Sequence, residues 1–490
     1  MESGNEKLNS ETNEFPHDML LHYHLMHPGG DSWPADPNAA FCLDGVYHLH
    51  YILQHSWKGD ESFSFVHVTS EDMIHWTWQP TKLQPAFTGH GMFSGTGFLT
   101  REGRPAVIYH GQGAGRNQIA LAKDRQLSGW EKPYPVETKT ADGAEASIRQ
   151  WDPDCFRIGD TYYAISGRAD PPLLKSRDLR NWTLVGDFMH HEPDDVVIGE
   201  DISCPNFFPL GNKWMLLCIS HPFGCRYYLG DWDAEAEQFV PEQHARMNWR
   251  RPDQTIYNTW YRDFFAPETV LTGDGRRVMW AWLKTLHEAT AMRSVQSLPR
   301  ELSLGDDGSL RIHPLRELTS LREEPVVFRG VTVTPPEKPH SAEAFEHVTD
   351  IDVDAVEILM TVDRGEATRK RFGLRLFVGE DHPGLDIMIR PETGTLRVGT
   401  VDAPFRVAAL PEDEDIELRV FVDKYLVEVF ANGRQAVAAA HMEYYKASGL
   451  EIYSYGGSTT VRDITIWPMR FANQGLLEAA ESRIWEPETA

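Results

Sequence analysis

DPNAAFCLDGVYHLHYI (36–52), SGTGFLTREGRPAVIYHG (94–111), DPDCFRIGDTYYAISG (152–167), CPNFFPLGNKWMLLCIS (204–220) and APETVLTGDGRRVMWAWL (266–283) share one layout. Each opens on a short run with Pro or Gly, passes an aromatic or apolar residue to a polar turn containing Gly, and continues into an aromatic and β-branched run. The turns rest on Asp44-Gly45, Glu102-Gly103, Gly159-Asp160, Gly211-Asn212 and Asp274-Gly275, so each unit reads as a β-hairpin. The spacing is roughly 50 to 60 residues, a repeat period that decides the architecture before any single motif does. SEDMIHWTWQP (70–80) and SRDLRNWTLVG (176–186) add a second echo, each running from Ser and an acidic residue to Trp76 or Trp182. Long amphipathic helices are nearly absent. Units of about four strands each predict an all-β fold, a five-bladed β-propeller over 15–325, with an irregular β-sandwich as the plainer alternative.

Beyond the repeats the texture changes. The Pro-rich VTVTPPEKPHSAEAF (331–345) marks a boundary, and AVEILMTVD, FGLRLFVG, LDIMIRP, GTLRVGTV, DIELRVFVD, YLVEVFANG and TVRDITIWP alternate as strands of a β-sandwich do. That second domain is expected over 326–471, with NQGLLEAAESRIWE in a helical tail at 472–490.

The 490 residues, 41% hydrophobic and 11% aromatic, describe a globular chain with room for two or three domains. A net charge of −26 repels phosphate backbones and anionic lipid, so neither nucleic acid nor membrane is an expected partner. The five cysteines show no C-x-x-C spacing and read as buried small hydrophobes. No apolar run is long enough to span a membrane, and Glu2, Glu6, Glu11 and Glu14 stand where a signal peptide needs basic and apolar residues. The expectation is a soluble chain, cytoplasmic if this N-terminus is native and secreted if a signal has been removed.

In a propeller the innermost strands run together along the central channel, and their first residues gather at one mouth. Here those residues are acidic: Asp36, Asp152, and Glu200 with Asp201 just before Cys204. Carboxylates held together cannot all ionise, so one should carry a raised pKa and donate a proton. One ionised and one protonated carboxyl across a scissile bond is the chemistry of glycoside hydrolysis or transfer. Trp33, Trp57, Phe93 and Trp151 lie beside the acidic positions and suit the apolar faces of sugar rings. The bland readings are blade packing for each Trp and turn-forming Asp-Pro for Asp36 and Asp152. GxSxG, P-loop and HExxH motifs are missing, and His48, His50 and His55 have no evident further ligand, so no metal and no cofactor is expected.

WPADPNAA (33–40), FSGTGF (93–98), WDP (151–153), GEDISCPNFF (199–208), RDFFAPETV (262–270), SLPREL (297–302) and VEVFANG (427–433) together resemble glycoside hydrolase family 32, the invertase, inulinase and levanase group. The resemblance runs in order from residue 20 to 470. It implies a retaining mechanism on β-fructofuranosyl bonds of a fructan or fructo-oligosaccharide. Asp36 would be the nucleophile, Glu200 the acid/base with Asp201 as second choice and Glu192 as third, and Asp152 the transition-state stabiliser. Trp33, Gln54, Trp57, Phe93, Ser94 and Trp151 would bind substrate.

The departures from the family's W-M-N-D-P-N-G, R-D-P and E-C-P wording are Ala35 for Asn, Ala39 for Gly, Trp151 for Arg with Arg149 two places earlier, and Ser203 for the Glu before Cys204. Similar wording occurs in levan fructotransferases, which release difructose anhydride IV from β-2,6-fructan by intramolecular transfer. That activity is the first functional expectation, with an exo-β-fructosidase and a non-catalytic fructan-binding propeller as alternatives. Oligomeric state is left open, a dimer among the options.

Overall fold

The computed structural model describes residues 19–30, 32–249, 264–283, 295–336, 343–367 and 370–490. The N-terminal part is built of sheets that each begin on one of the five repeat segments, antiparallel apart from the short parallel pairing of Thr138–Lys139 with Trp182–Asp187, with inner strands Trp33–Leu43, Met92–Leu99, Pro153–Ile158, Ser203–Leu210 and Phe265–Leu271. The first two strands of each sheet are joined by turns of two to five residues. In the first, Asp44 and Gly45 both take positive φ, 54° and 86°, the pairing a type I′ turn requires. The inner strands pack in sequence, first on second through fourth on fifth, and the fifth returns to the first.

A circuit of hydrogen bonds links these strands, made by the residue two places into each repeat. Gly95 N–H donates to Asn38 Oδ1 at 2.7 Å, and Thr96 Oγ1 donates to Asp154 Oδ1 at 2.7 Å. Phe207 N–H donates to Asp154 Oδ2 at 2.7 Å, and Thr269 N–H to Asn206 Oδ1 at 2.9 Å. Ala40 N–H donates to Glu268 Oε1 at 3.3 Å, which brings the fifth blade back to the first. Burial pushes Asp154 up to about 6 and Glu268 well above the usual carboxylate range.

The echo between 70–80 and 176–186 is one turn built twice. Ser70 Oγ accepts from Met73 N–H, and Ser176 Oγ from Leu179 N–H, with Met73 and Leu179 at φ 63° and 62°. Asp72 and Asp178 then accept the next two backbone N–H groups.

The C-terminal part is a sandwich of two six-stranded sheets. One runs in the order Val326–Val333, Thr459–Pro468, Ala355–Val362, Ile416–Asp423, Leu426–Ala431, Gln435–Ala440. The other runs Glu343–Asp350, Gly449–Tyr455, Arg371–Val378, Leu385–Arg390, Thr395–Val398, Val401–Pro404. Alternating residues such as Ile358, Met360, Leu374, Leu376, Leu418 and Val420 fill the space between them.

The sandwich is tied to the propeller by buried charge. Glu428, from VEVFANG, accepts from Arg300 Nη2 of SLPREL at 2.6 Å and from Leu298 N–H at 2.7 Å. Asp423 accepts from the backbone N–H groups of His22, Tyr23 and His24, and the His24 ring bridges Asp423 and Glu428 at 2.8 and 3.3 Å. Burial opposes charge on His24, but the two carboxylates outweigh it and raise its pKa to about 9. The helix Gln474–Ser482 lies in the tail, where Trp485 packs edge-on against His27 at 4.4 Å and accepts, through its carbonyl, from Thr81. Among the described residues no helix is long and apolar enough to cross a membrane.

Candidate active site

The inner strands are interrupted at equivalent places. Register shifts fall between Pro34 and Pro37, Met92 and Gly95, Ser203 and Asn206, and Phe265 and Pro267. Such bulges turn a side chain out of the ladder, and the residues so placed are Asp36, Ser94, Cys204 and Ala266, with Asp152 just ahead of the third inner strand. Cys204 and Ala266 are held at φ 46° and 42°, a strained conformation for a residue with a Cβ.

Asp36, Ser94, Asp152 and Cys204 converge. Ser94 Oγ donates to Asp36 Oδ2 at 3.0 Å, and Asn38 Nδ2 donates to the Asp36 carbonyl at 2.9 Å. Cys204 Sγ lies 3.6 Å from Ser94 Oγ, 3.8 Å from Asp36 Oδ2 and 3.7 Å from Asp152 Oδ2. Burial and the Asp36 charge together raise Asp152 to about 6, while burial and both carboxylates push the Cys204 thiol well above its ordinary value. Cys204 is thus a protonated hub of the site, a role beyond that of the small core hydrophobe expected of it.

Aromatic side chains form one wall beside the acids. Phe93 packs between Phe63, at 4.7 Å between ring centroids, and Trp151, at 5.8 Å, and Trp151 also meets His110 at 4.6 Å. Trp151 borders a cavity of about 360 Å³ with Arg149, Gly167, Arg168, Ala169, Asp201, Ser203 and His221. Arg149 reaches over the Trp151 ring at 5.7 Å. Trp33 is 63% exposed and stands opposite Gln54 in the first blade. Gln54 itself donates to Glu61, and Trp57 lies beneath the Lys58 ammonium, 4.6 Å from the ring centroid.

Glu200, expected as the acid/base, is not among the residues that line this cavity. It is 3% exposed and clamped between two arginines, with Oε1 2.7 Å from Arg246 Nη2 and Oε2 3.2 Å from Arg226 Nη1. Burial would raise its pKa, but the two guanidinium groups dominate and hold it at about 2, so it carries no proton to give near neutrality. The reach of a Glu side chain is spent on the clamp instead of on the cavity. Asp201, the second choice, does border the cavity. Its carboxylate accepts from Ser203 Oγ at 2.9 Å, from His221 N–H at 2.9 Å and from His221 Nδ1 at 2.6 Å. Burial opposes its charge, yet the bonds from His221 prevail and hold Asp201 also at about 2.

His221 was not singled out from the sequence. Its place follows from the ladder: Ser203 pairs with Ile219, and continuing that antiparallel register by two residues sets Asp201 opposite His221. The histidines of the first blade behave as packing groups. His48, His50 and His67 stack on one another, burial lowers all three, and no group of His, Cys, Asp and Glu suited to a metal occurs among the described residues. Arg262 and Asp263 of RDFFAPETV lie outside the described residues.

Residues 24–314 match the Glycosyl hydrolases family 32 N-terminal domain, and residues 317–468 match the Glycosyl hydrolases family 32 C-terminal domain. Raffinose invertase of Escherichia coli is 26% identical, over 91% of this chain and 94% of its own. Levanase of Bacillus subtilis is 26% identical over 90% of this chain and 69% of its own. In fold, the chain resembles fructan 1-exohydrolase IIa from Cichorium intybus, with a TM-score of 0.72 at 17% identity over 94% of this chain and 98% of that one. With both domains matched and two Asp side chains from separate blades meeting at the mouth, the chain belongs to glycosyl hydrolase family 32, a family of enzymes.

Proposed function

We propose that the protein cleaves β-fructofuranosyl bonds with retention, releasing fructose from a terminal unit of a fructan, fructo-oligosaccharide or sucrose. The observation that carries this reading is the pairing of Asp36 with Asp152 at Cys204, beside the aromatic wall of Phe93 and Trp151. Asp36, held by Ser94, is the nucleophile on the anomeric carbon. Asp152, whose pKa of about 6 lets it donate a hydrogen bond when protonated and accept one when ionised, binds fructose hydroxyls and steadies the charge that grows in the transition state. Relatives named raffinose invertase, levanase and sucrose-6-phosphate hydrolase support hydrolysis as the outcome.

One feature favours a second reading, intramolecular transfer on levan to give difructose anhydride IV. Trp151, in place of an arginine, adds an apolar face to a cavity that a second fructosyl unit would enter in place of water. Mass spectrometry and carbon NMR of the products from levan, inulin and sucrose decide between them. Free fructose supports hydrolysis, and a non-reducing product one water lighter than a disaccharide supports transfer. The absence of any product alongside measurable fructan binding would support a binding propeller.

A further inference from the structure

The fourth blade places a histidine, His221, on the cavity beside Asp201. A retaining glycosidase needs a group that protonates the departing oxygen and later takes a proton from water. Ser203 occupies the place directly before Cys204, Glu200 is locked between Arg226 and Arg246, and Asp201 is committed to three hydrogen bonds from Ser203 and His221. His221 remains. It sits at the turn after the strand Lys213–Ser220, on the same cavity as Trp151, Arg149 and Asp201, and its side chain is 46% exposed. It is close enough to Asp152 for its charge to act on that carboxyl, and its ring meets Phe265 of the fifth blade edge-on at 6.1 Å.

We propose that His221, oriented through Nδ1 by Asp201, is the general acid/base of the fructosyl reaction, a role that rests on the fructosidase reading given above. As Asp36 Oδ forms its bond to the anomeric carbon, the glycosidic C–O bond breaks and the leaving oxygen takes the proton of His221 Nε2. In the second step Nε2 accepts a proton from water while the water oxygen bonds to the anomeric carbon and the bond to Asp36 breaks, which restores both groups. Asp201 is a positioning residue: it sets the tautomer and favours the imidazolium, as carboxylate partners of catalytic histidines do. The charged groups facing His221 are Asp201 and Asp152, each just ahead of an inner strand, Arg149 and Arg168 across the cavity, and Arg226, which donates to the Asp201 carbonyl at 2.9 Å.

The test compares His221→Gln, Asp201→Asn and Glu200→Gln with the wild type on sucrose and on a nitrophenyl β-fructofuranoside, whose leaving group needs no proton. His221→Gln should lose about 10²- to 10⁴-fold in kcat/KM on sucrose but less than about tenfold in kcat/KM on the aryl substrate, and its alkaline limb in kcat/KM should vanish. Asp201→Asn, which removes the partner without removing the base, should keep that limb but move it to lower pH. Circular dichroism and thermal melts check that each variant is folded. A folded His221→Gln with sucrose activity within threefold of wild type would overturn the proposal. So would a folded Glu200→Gln that alone shows the sucrose-selective loss. Wild type inactive on sucrose, fructans and the aryl fructoside would instead overturn the fructosidase reading, and this proposal with it.

Discussion

Asp36 and Asp152 reach the same thiol from blades that are not neighbours, with Cys204 Sγ 3.8 Å from the first and 3.7 Å from the second. Neither carboxyl is far from the other's charge, and the site therefore stores an unfavourable interaction that a positively charged transition state relieves.

That coupling predicts a pH dependence of stability. Asp152 is raised by burial first and by Asp36 second, from 3.8 to about 6. Its contribution is fully present below pH 3.8 and is lost as the pH rises through 6. Asp152→Asn should therefore gain on wild type between pH 4 and pH 7, by on the order of 3 kcal/mol. Urea melts at the two pH values measure this, and equal slopes for both proteins would sink the idea. Asp36→Asn should shrink the same loss in the wild-type Asp152 background, while abolishing turnover on natural and aryl substrates alike.

Glu200 behaves in the opposite sense. Its pKa, held at about 2 by Arg246 and Arg226 against burial, makes a contribution present above pH 4.5 and lost as the pH falls toward 2. Glu200→Gln leaves Arg226 buried without its carboxylate, a change that costs about 3 to 5 kcal/mol. The gap in melting temperature between wild type and variant should be wide at pH 7 and narrow at pH 3. A gap independent of pH would mean that the clamp is not an ion pair.

The inter-blade circuit yields a contrast between two substitutions at one position. Glu268 is buried and its carboxyl is pushed well above the usual range, so Glu268→Gln, which preserves an acceptor for Ala40 N–H, should leave stability near wild type at neutral pH. Glu268→Ala leaves that N–H unpaired and should cost about 1 to 3 kcal/mol. Because the Glu268 contribution is lost as pH rises, the Gln variant should overtake wild type in alkaline buffer. Melting curves of the three proteins from pH 6 to pH 10 would expose the reverse order if it held.

At the domain junction, His24 is charged between Asp423 and Glu428 with a pKa of about 9. Its contribution is complete below pH 6.5 and lost as the pH rises through 9. Glu428→Gln removes the partner of both Arg300 and His24, and should split a single unfolding transition into two as the sandwich and propeller uncouple. Scanning calorimetry reads this directly, and one unchanged transition would rule out the coupling.

Much of this was legible before any coordinates. The repeats begin at Asp36, Ser94, Asp152, Cys204 and Ala266, and each of these residues stands at the head of an inner strand or in the bulge near its start. A hairpin is set by its turn residues and by strand alternation, both of which are local in the chain. Even the polar circuit was written there, as the third residue of DPN, SGT, DPD, CPN and APE, although only its closure explains why these positions are polar.

The orientation of charged side chains was not legible. Glu200 and Asp201 are adjacent, and from sequence alone the longer side chain was the better candidate for the cavity. The outcome turned on Arg226 and Arg246, which arrive on later strands of the same blade, and on His221, which arrives on a hairpin turn. The likeness of VEVFANG and SLPREL to family motifs likewise gave no hint that Glu428 of one grips Arg300 of the other. By itself the amino-acid sequence determined the blades and the sandwich, because those follow from backbone periodicity and short-range turns. Tertiary structure alone decided which carboxylate is neutralised by a buried cation and which lines the cavity, because ion pairing depends on distances of a few ångströms between residues far apart in the chain.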